Sequence, residues 1–357
     1  MLNNTNKVYI ADMATLIPEL YPQQDVVETF YPKESVSDRC RTLVSRLVHG
    51  VGITNRPVAI DLELFPKIVL KSQDYSPVNW GSQIIDSLTK HIPLEQVGYI
   101  SVSYNIAVNN DILPNLACQI ALHKNLNLDF PPEELVSYGC AAGILSLKSA
   151  VEYCQRTQKA AIVYMFEHCT ALAKPIYDVK NKDFKANLRS NVLFSDGAIG
   201  LLVLPECKVE YKEKCLEIVD IDTGFQLGDA ILMRNGKFLV GNTVKDVMPS
   251  LVSEKSVLPL LQKNDLTVEQ IDEWSIHQGG IPVLQKFTEP SVLGLPEEKI
   301  LNSLNLFKQY GNFSTLSCFF VLNSFFNQPI IKEKYGAIVS FGAGYYYGSA
   351  LYRKGGC

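Results

Sequence analysis

The sequence predicts a layered α/β fold, and three observations support this prediction. Strand-like and helix-like apolar patterns alternate along both halves of the chain. Residues 160–166 are apolar throughout, as expected for a strand that is covered on both faces of a sheet. The chain has 357 residues, of which 47% are hydrophobic, and it contains no short repeat or low-complexity tract. It is therefore long enough for two ordinary domains or one large duplicated unit.

In the N-terminal half, predicted strands and helices follow one another in turn. A polar stretch at 19–38 is predicted to be a loop that leads into a helix ending near Arg46. Residues 50–56 carry two glycines close to Arg56, and we interpret this segment as a turn. The alternative is that it contacts a phosphate group. The lysine-rich stretch 173–189 is predicted to be a loop that is exposed to solvent. The other predicted elements are strands at 8–14, 97–108, 160–166 and 201–204 and helices at 80–91 and 114–126, the last with Pro114 in its first turn.

The C-terminal half follows a charged connector at 206–214, which is the best candidate for a boundary. We therefore predict one half at 1–206 and a second half at 207–357. An Asn-Gly pair at 235–236 predicts a turn. The remaining predicted elements are strands at 216–221, 274–277, 337–341 and 347–352 and helices at 251–261 and 267–271.

Composition and charge narrow the choice of partners. The formal net charge is −4, and no dense run of Lys or Arg occurs. This argues against nucleic acid or an anionic membrane as the main partner and favours a small molecule or a protein. The N-terminus lacks the pattern of a signal peptide, and no apolar run reaches the roughly 18 residues of a membrane span. We therefore expect a soluble, cytoplasmic protein without membrane insertion.

Cys140 is the first candidate for a catalytic residue. Apolar residues recur at helical spacing immediately after it, at Ile144, Leu147 and Val151. A thiol in the first turn of a helix lies near unsatisfied backbone N–H groups and the positive end of the helix dipole, which favours the thiolate. The alternative is an inert, buried cysteine at a strand-to-helix turn. This stretch alone does not decide between the two.

Two further polar residues are candidates because each lies at the end of an apolar segment, close to glycine. They are His277 and Asn312. A neutral imidazole or an amide can donate a hydrogen bond to a thioester oxygen on which negative charge develops. Taken singly, each is more often structural, but their joint occurrence with Cys140 favours a catalytic set. The nine cysteines show no CxxC pair and no Cys/His cluster, so neither a metal site nor a disulfide framework is expected.

Five short motifs occur in one order across most of the chain, at 139–143, 193–198, 276–280, 310–314 and 341–351. As a set they resemble the thiolase-fold condensing enzymes. The resemblance is to the branch of ketoacyl-carrier-protein synthase III, chalcone-synthase-like type III polyketide synthases and pyrone-forming ketosynthases. It implies a thiolase-like αβαβα sandwich of two pseudo-symmetric halves, each with a five-stranded sheet, assembled as a homodimer.

The resemblance also implies roles for individual residues. Cys140 is then the acylated nucleophile, and His277 and Asn312 bind the carbonyl of the extender thioester and the enolate formed from it. The backbone N–H of Cys140 and one from the segment 342–344, with Gly342 and Gly344 as candidates, form the oxyanion hole. Phe194 matches an aromatic beside the nucleophile, with core packing as the alternative, while Asp196 is expected to hold a turn.

The activity implied by the resemblance is that of a β-ketoacyl synthase-type condensing enzyme in fatty-acid or polyketide biosynthesis. An acyl group on Cys140 is joined by Claisen condensation to a malonyl- or β-ketoacyl-type thioester, both supplied by acyl-CoA or acyl-carrier protein without a tightly bound cofactor. The alternatives are an acyltransferase that forms an ester or amide and a catalytically silent partner subunit.

Two departures from the family pattern qualify this expectation. Residues 50–53 lack the Arg-Thr pair that helps synthase III enzymes to receive the donor. The segment around Leu116 lacks the glutamate base of enzymes that join two long acyl chains and of hydroxymethylglutaryl-CoA synthases. The joining of two long acyl chains and the synthesis of hydroxymethylglutaryl-CoA are therefore disfavoured.

Overall fold

The computed structural model describes residues 7–109, 111 and 113–356. Its strands are β1 (Val8–Leu16), β2 (Leu20–Pro22), β3 (Asn55–Pro57), β4 (Val97–Tyr104), β5 (Glu133–Val136), β6 (Ala160–Glu167), β7 (Gly197–Leu204), β8 (Leu216–Phe225), β9 (Ile231–Arg234), β10 (Lys237–Val240), β11 (Ile271–Ile276), β12 (Lys334–Phe341) and β13 (Tyr346–Lys354). Its α-helices are α1 (Gln23–Phe30), α2 (Asp38–Val51), α3 (Pro77–Leu88), α4 (Leu116–His123), α5 (Ala142–Thr157), α6 (Phe184–Leu193), α7 (Val244–Val252), α8 (Leu258–Lys263), α9 (Ile281–Lys286), α10 (Glu297–Tyr310) and α11 (Ser317–Phe326).

Nine of the strands form one mixed sheet in the order β11-β12-β13-β8-β1-β7-β6-β4-β5. In its first half, β1 pairs antiparallel with β7, β7 antiparallel with β6, and β6 parallel with β4. The second half repeats these pairings with β8, β13, β12 and β11. The repeat is the pseudo-symmetry that the resemblance implies. The second half has four strands rather than five in the described part of the chain, because no counterpart of β5 pairs with β11.

Helices cover both faces of the sheet and also fill a layer between its two halves. α5 and α11 form this inner layer, where Ile144 and Phe319 belong to one buried cluster with Val163 of β6 and Ile338 of β12. α3 and α4 cover the outer face of the first half, and α7 to α10 cover that of the second. Gly143 brings the inner helices together, since a Cβ there would lie 2.6 Å from the Phe319 ring. The layers are those of the predicted αβαβα sandwich.

Two helices lie in stretches that were predicted to be irregular. α1 occupies part of the predicted loop. Its sequence is largely polar, but Val26, Val27 and Phe30 form an apolar face that is buried. α6 overlaps the stretch 173–189, which was predicted to be a solvent-exposed loop. The α6 residues Phe184 and Leu188 are buried. In both cases tertiary packing of a few apolar residues outweighs the polar composition of the segment.

Two helix predictions in other segments are corrected. Pro114 is not in the first turn of α4, because Asn115 precedes the helix and its side chain accepts a hydrogen bond from the backbone N–H of Cys118. The helix predicted at 267–271 is a single 3₁₀ turn, Val268–Gln270, from which the chain enters β11 directly. By contrast, the turn predicted at 235–236 is confirmed, since it joins β9 to β10.

The turn predicted at 50–56 is shorter in the structure: α2 continues to Val51, residues 52–54 form the connection, and β3 begins at Asn55. Gly52 ends α2 in the left-handed conformation, with φ +66°. The Arg56 side chain is only 1% exposed, and it donates hydrogen bonds to the carbonyl oxygens of Asn191, at 2.7 Å, and Phe194. Burial lowers the pKa of Arg56 to about 10. Arg56 therefore binds backbone carbonyl groups inside the protein. It does not contact a phosphate group, which was the alternative interpretation.

Most cysteines of the described chain are free thiols: Cys40, Cys118, Cys140, Cys154, Cys169, Cys207 and Cys318. Cys215 is disulfide-bonded. No disulfide framework was expected, and this residue is an exception among the described cysteines. Cys357 and the N-terminal residues 1–6 lie outside the described residues.

Candidate active site

Cys140 lies where a 3₁₀ turn, Gly139–Ala141, leads into α5, as the helical periodicity predicts. Gly139 has φ +61°, and a Cβ on it would collide with the backbone nitrogen of Ala343. Glycine is therefore required here for two reasons, the left-handed conformation and the close approach of a second chain segment. The close approach places Cys140 beside the loop that joins β12 to β13.

Cys140, His277 and Asn312 line one cavity of about 220 Å³. They come from the start of α5, from the loop after β11 and from the loop before α11. Phe194 and Ala343 also contribute to the cavity wall. The fold thus brings together the three residues that the sequence singled out.

The His277 ring is held in an apolar environment. It is 3% exposed, its backbone N–H donates to the Val339 carbonyl at 2.9 Å, and its ring packs edge-on against Phe341 with centroids 5.1 Å apart. Within the described chain, Nδ1 has no hydrogen-bond partner. Burial lowers the pKa of His277 to about 3, so the imidazole is neutral at pH 7. A neutral imidazole can donate one hydrogen bond and accept one.

Asn312 is fixed in the orientation that a hydrogen-bond donor requires. Its Oδ1 accepts hydrogen bonds from the backbone N–H of Ser314 at 2.7 Å and from the hydroxyl of Ser317 at 3.0 Å. Its backbone pairs with that of Leu193 and Ser195. Because the carbonyl oxygen of the amide is occupied, the NH₂ group is the part that remains to serve a ligand.

The Cys140 thiol is protonated in the resting protein. Burial is the main cause that raises the pKa of Cys140 to about 12. A hydrogen bond with the Ser314 hydroxyl, at 3.5 Å, lowers this pKa, and the negative charge of Glu167 raises it further. The start of the helix was expected to favour the thiolate, and burial outweighs that effect. The resting pair is therefore a thiol and a neutral imidazole rather than an ion pair.

The segment 342–344 packs directly against the nucleophile, but not every N–H in it is available. The N–H of Gly342 donates to the Tyr346 carbonyl at 2.9 Å, which removes it as a candidate oxyanion donor. A Cβ on Gly342 would collide with the backbone nitrogen of Cys140, so this glycine serves close packing. Gly344 has φ +71° and turns the chain. Of these residues, only Ala343 lies in the described cavity wall, which makes its N–H the better candidate.

Phe194 and Asp196 join the cavity wall to the core. The Phe194 ring lies in the wall and packs on Phe238 with centroids 5.1 Å apart, so it takes part in both wall and packing. Asp196 is fully buried and accepts backbone hydrogen bonds from Ala59 at 2.7 Å and Thr170 at 2.8 Å. Asp196 was expected to hold a turn; instead it ties the segments at Ala59 and Thr170 to the start of β7, and these hydrogen bonds do not close a local turn.

A buried polar network next to Cys140 was missed by sequence reasoning. The Asn105 amide donates to Glu167 Oε1 at 2.7 Å and to the Gly139 carbonyl at 3.1 Å. The Thr315 hydroxyl donates to the same Glu167 oxygen at 2.6 Å. One signal could have revealed the network, since Glu167 is the first charged residue after the apolar run 160–166. A carboxylate at the end of a buried strand needs partners.

A second cavity, of about 460 Å³, adjoins the first. The two share wall residues, which are Leu193, Val240, Val244 and Gly279. Most of its other wall residues are apolar, and Gly50 and Val51 at the end of α2 are among them. Its charged wall residues are all basic: Arg46, Lys185, Arg189 and Lys245. An apolar channel with cationic side chains therefore leads toward the cavity of Cys140.

Known families and proteins resemble this chain over different extents. The family model described as the C terminal of 3-oxoacyl-[acyl-carrier-protein (ACP)] synthase III matches residues 261–354. Polyketide synthase 37 of Dictyostelium discoideum is 23% identical over 356 residues, which are 96% of this chain and 11% of that protein. A beta-ketoacyl-[acyl-carrier-protein] synthase III of Clostridium perfringens is 29% identical over 178 residues, 45% of this chain and 52% of that protein.

Among solved structures, the crystal structure of PKS-I from the brown alga Ectocarpus siliculosus superposes with a TM-score of 0.80. The two chains are 18% identical, and the match covers 99% of this chain and 100% of the other. The curated relatives are matched over a smaller share of their own length, from 11% to 58%. The structural likeness therefore concerns the fold.

Proposed function

Because this chain belongs to the thiolase-fold condensing enzymes, we propose that it is a β-ketoacyl synthase-type enzyme of polyketide or fatty-acid biosynthesis. The observation that carries this proposal is the convergence of a thiol, a neutral imidazole and an amide oriented as a donor on one cavity. In the proposed reaction, two thioesters are joined through a new carbon–carbon bond.

In the first proposed step, Cys140 becomes acylated. The thiol gives up its proton, its sulfur attacks the carbonyl of the acyl donor, and the donor thiol leaves with a proton. The N–H groups of Cys140 and Ala343 are the proposed donors to the oxygen of the tetrahedral intermediate. Neutral His277 is the proposed acceptor of the Cys140 proton, because both residues line the same cavity.

In the second proposed step, the extender becomes a carbon nucleophile. A malonyl thioester loses CO₂ and becomes an enolate, whose carbon attacks the acyl group on Cys140. The carbon–sulfur bond to Cys140 then breaks, and the thiolate that leaves takes up a proton from solvent. His277 and Asn312 donate hydrogen bonds to the enolate oxygen, which carries negative charge only during this step. A donor that is already held by Ser314 and Ser317 needs little reorganisation to do this.

The adjoining cavity supports a thioester donor with an apolar arm and phosphate groups. CoA and carrier proteins both present such a group through phosphopantetheine. The expected Arg-Thr pair is absent at 50–53, but Gly50 and Val51 lie in this wall and the cationic side chains come from other elements, α2, α6 and α7. We therefore propose that these cations replace the missing pair.

The direct test offers the protein two thioesters in sequence. An acyl-CoA or acyl-carrier protein is added first, excess donor is removed, and a malonyl or β-ketoacyl thioester follows. We expect a β-keto product that is longer by the extender carbons, identified by mass spectrometry. Simple alcohols and amines are offered in parallel, and an ester or amide as the sole product would replace this proposal by the acyltransferase.

The protein is also proposed to be a homodimer. β5 is an edge strand, since it pairs with β4 on one side and ends the order of the sheet. Large apolar side chains near this edge are exposed, including Leu122 at 69% and Phe130 at 40%. We expect sedimentation to give a mass of twice 39.8 kDa, because pairing of two edges would bury these groups. A monomer at micromolar concentration would contradict the proposal.

No described helix is long and apolar enough to cross a membrane. The cytoplasmic location expected from the sequence stays a prediction. Likewise, the choice between CoA and a carrier protein as donor is left to the test above.

A further inference from the structure

Glu167 connects three chain segments that meet beside Cys140. It lies at the end of β6 and is fully buried. One of its oxygens accepts from the Asn105 amide and the Thr315 hydroxyl. The other lies within hydrogen-bonding range of the backbone N–H groups of Asn105, at 3.2 Å, and Ile106, at 3.3 Å. Every one of these groups donates, so the position calls for an acceptor on both oxygens.

The same partners reach both sides of the active-site cavity. The second N–H of the Asn105 amide donates to the Gly139 carbonyl, one residue before Cys140. Thr315 lies in the 3₁₀ turn Ser314–Leu316, which follows Asn312 in the chain. The turn that carries the nucleophile and the loop that carries the amide donor are therefore tied to one carboxylate. Ser314 is in the left-handed conformation, with φ +52°, which is costly for a residue with a side chain and requires such support.

We propose that Glu167 is a positioning residue, which fixes the turn of Cys140 relative to the loop of Asn312. The proposal rests on the proposed function, because this relative position matters most when an enolate held by Asn312 attacks an acyl group on Cys140. Glu167 is not part of the described cavity wall, so it acts through Asn105 and Thr315 rather than on the substrate.

The charge of Glu167 gives the proposal a second consequence. The titratable groups around Cys140 are Glu167 and Cys169, from β6 and the 3₁₀ turn after it, Cys318 of α11, and His277 in the cavity wall. Of these, ionised Glu167 raises the pKa of Cys140 through its negative charge. Burial raises the pKa of Glu167 itself, and the hydrogen bonds from Thr315 and Asn105 lower it, so the network supports the charged form. Removing the charge should therefore make the thiol more acidic, even though it impairs the reaction. A residue that acted through its charge alone would shift the pKa of Cys140 without slowing condensation.

The test is Glu167→Gln, which keeps the shape of the side chain. Its single oxygen can serve either the side chains of Asn105 and Thr315 or the backbone N–H groups of Asn105 and Ile106, and its NH₂ group would face the other donors, so the tie between the two segments is weakened. We expect condensation from pre-acylated enzyme to fall roughly a hundredfold, the loss that a small misplacement of reacting groups causes. We also expect the pH profile for alkylation of Cys140 by iodoacetamide to shift to lower pH, because the charge that raises the pKa of the thiol is removed.

Two further variants separate geometry, charge and folding. Thr315→Val removes one donor to Glu167 and leaves the carboxyl group in place, so condensation should fall. Because the lost hydrogen bond lowers the pKa of Glu167, any shift of the alkylation profile should have the same direction as in Glu167→Gln and be smaller. Glu273→Gln removes a different buried carboxylate, which is paired with Lys334 at 3.1 Å and Tyr352 at 2.9 Å away from this network. It should alter thermal stability without changing the alkylation profile.

Condensation by Glu167→Gln within threefold of the wild type overturns the proposal, and so does an alkylation profile that does not shift. If Glu167→Gln fails to fold, Thr315→Val decides, and unchanged condensation by that variant overturns the proposal. If the wild type itself forms no carbon–carbon product, the proposed function fails instead. The alkylation profile and the rate of acyl loading then still report on Glu167.

Discussion

The Cys140→Ala variant gains no acyl group when it is mixed with an acyl-CoA or an acyl-carrier protein, whereas the wild type gains one. This is the largest effect that we expect. Thioester exchange needs a sulfur nucleophile beside an oxyanion hole, and Cys140 lies in the cavity wall next to Ala343. Alanine keeps the start of α5 and removes only the sulfur. Intact-mass measurement distinguishes the two proteins directly.

The other cysteines supply the controls for this result. Cys118→Ala, on α4 outside the cavity, should load one acyl group as the wild type does. Cys169 lies in the same cavity wall, but burial raises its pKa well above the usual value, and its sulfur lies 3.7 Å from Glu167 Oε2. An adduct that persists in Cys140→Ala and maps to Cys169 or Cys154 would contradict the assignment of the nucleophile.

The Asn312→Ala variant loads its acyl group almost normally and forms the carbon–carbon bond about a hundred to a thousand times more slowly. Removing one donor to a developing oxyanion typically costs about 3–4 kcal/mol in the transition state. Acyl loading does not form the enolate that Asn312 serves, so that step should be spared. The two steps are measured separately, by intact mass and by product formation from pre-acylated enzyme.

Asn312→Asp is the sharper companion variant. Its carboxylate still accepts the hydrogen bonds from Ser314 and Ser317, so the loop keeps its support. However, the donor is replaced by a negative charge that opposes the enolate, and we expect condensation to be as slow as in Asn312→Ala. The condensing mechanism would have to be abandoned if Asn312→Ala left turnover unchanged while His277→Ala abolished it and the product were an ester or amide.

Sequence reasoning identified Cys140, His277 and Asn312 because each lies in a short motif close to glycine. It missed the network around Glu167. The charged residue after the apolar run 160–166 was a visible signal, but its partners Asn105 and Thr315 are 62 and 148 residues away along the chain and could not be named. Such contacts exist only after β4, β6 and the turn before α11 have packed together.

The sign of the Cys140 pKa shift was equally inaccessible. The position at the start of a helix is visible in the sequence, but the amount of burial is not, and burial decides the outcome. The choice of Ala343 over Gly342 also depends on one backbone hydrogen bond, from Gly342 to Tyr346. A one-residue difference of this kind follows from the local path of the chain.

The repeated strand pairings imply a division of labour between the two halves. The nucleophile precedes α5 in one half, and the amide donor precedes α11 in the other, each through a 3₁₀ turn. Neither half alone carries both. The distance between the nucleophile and the amide donor depends on how α5 and α11 pack against each other, near Gly143 and Phe319. Substitutions in the contact between α5 and α11 could therefore change the reaction geometry during evolution, without changing a residue that contacts the substrate.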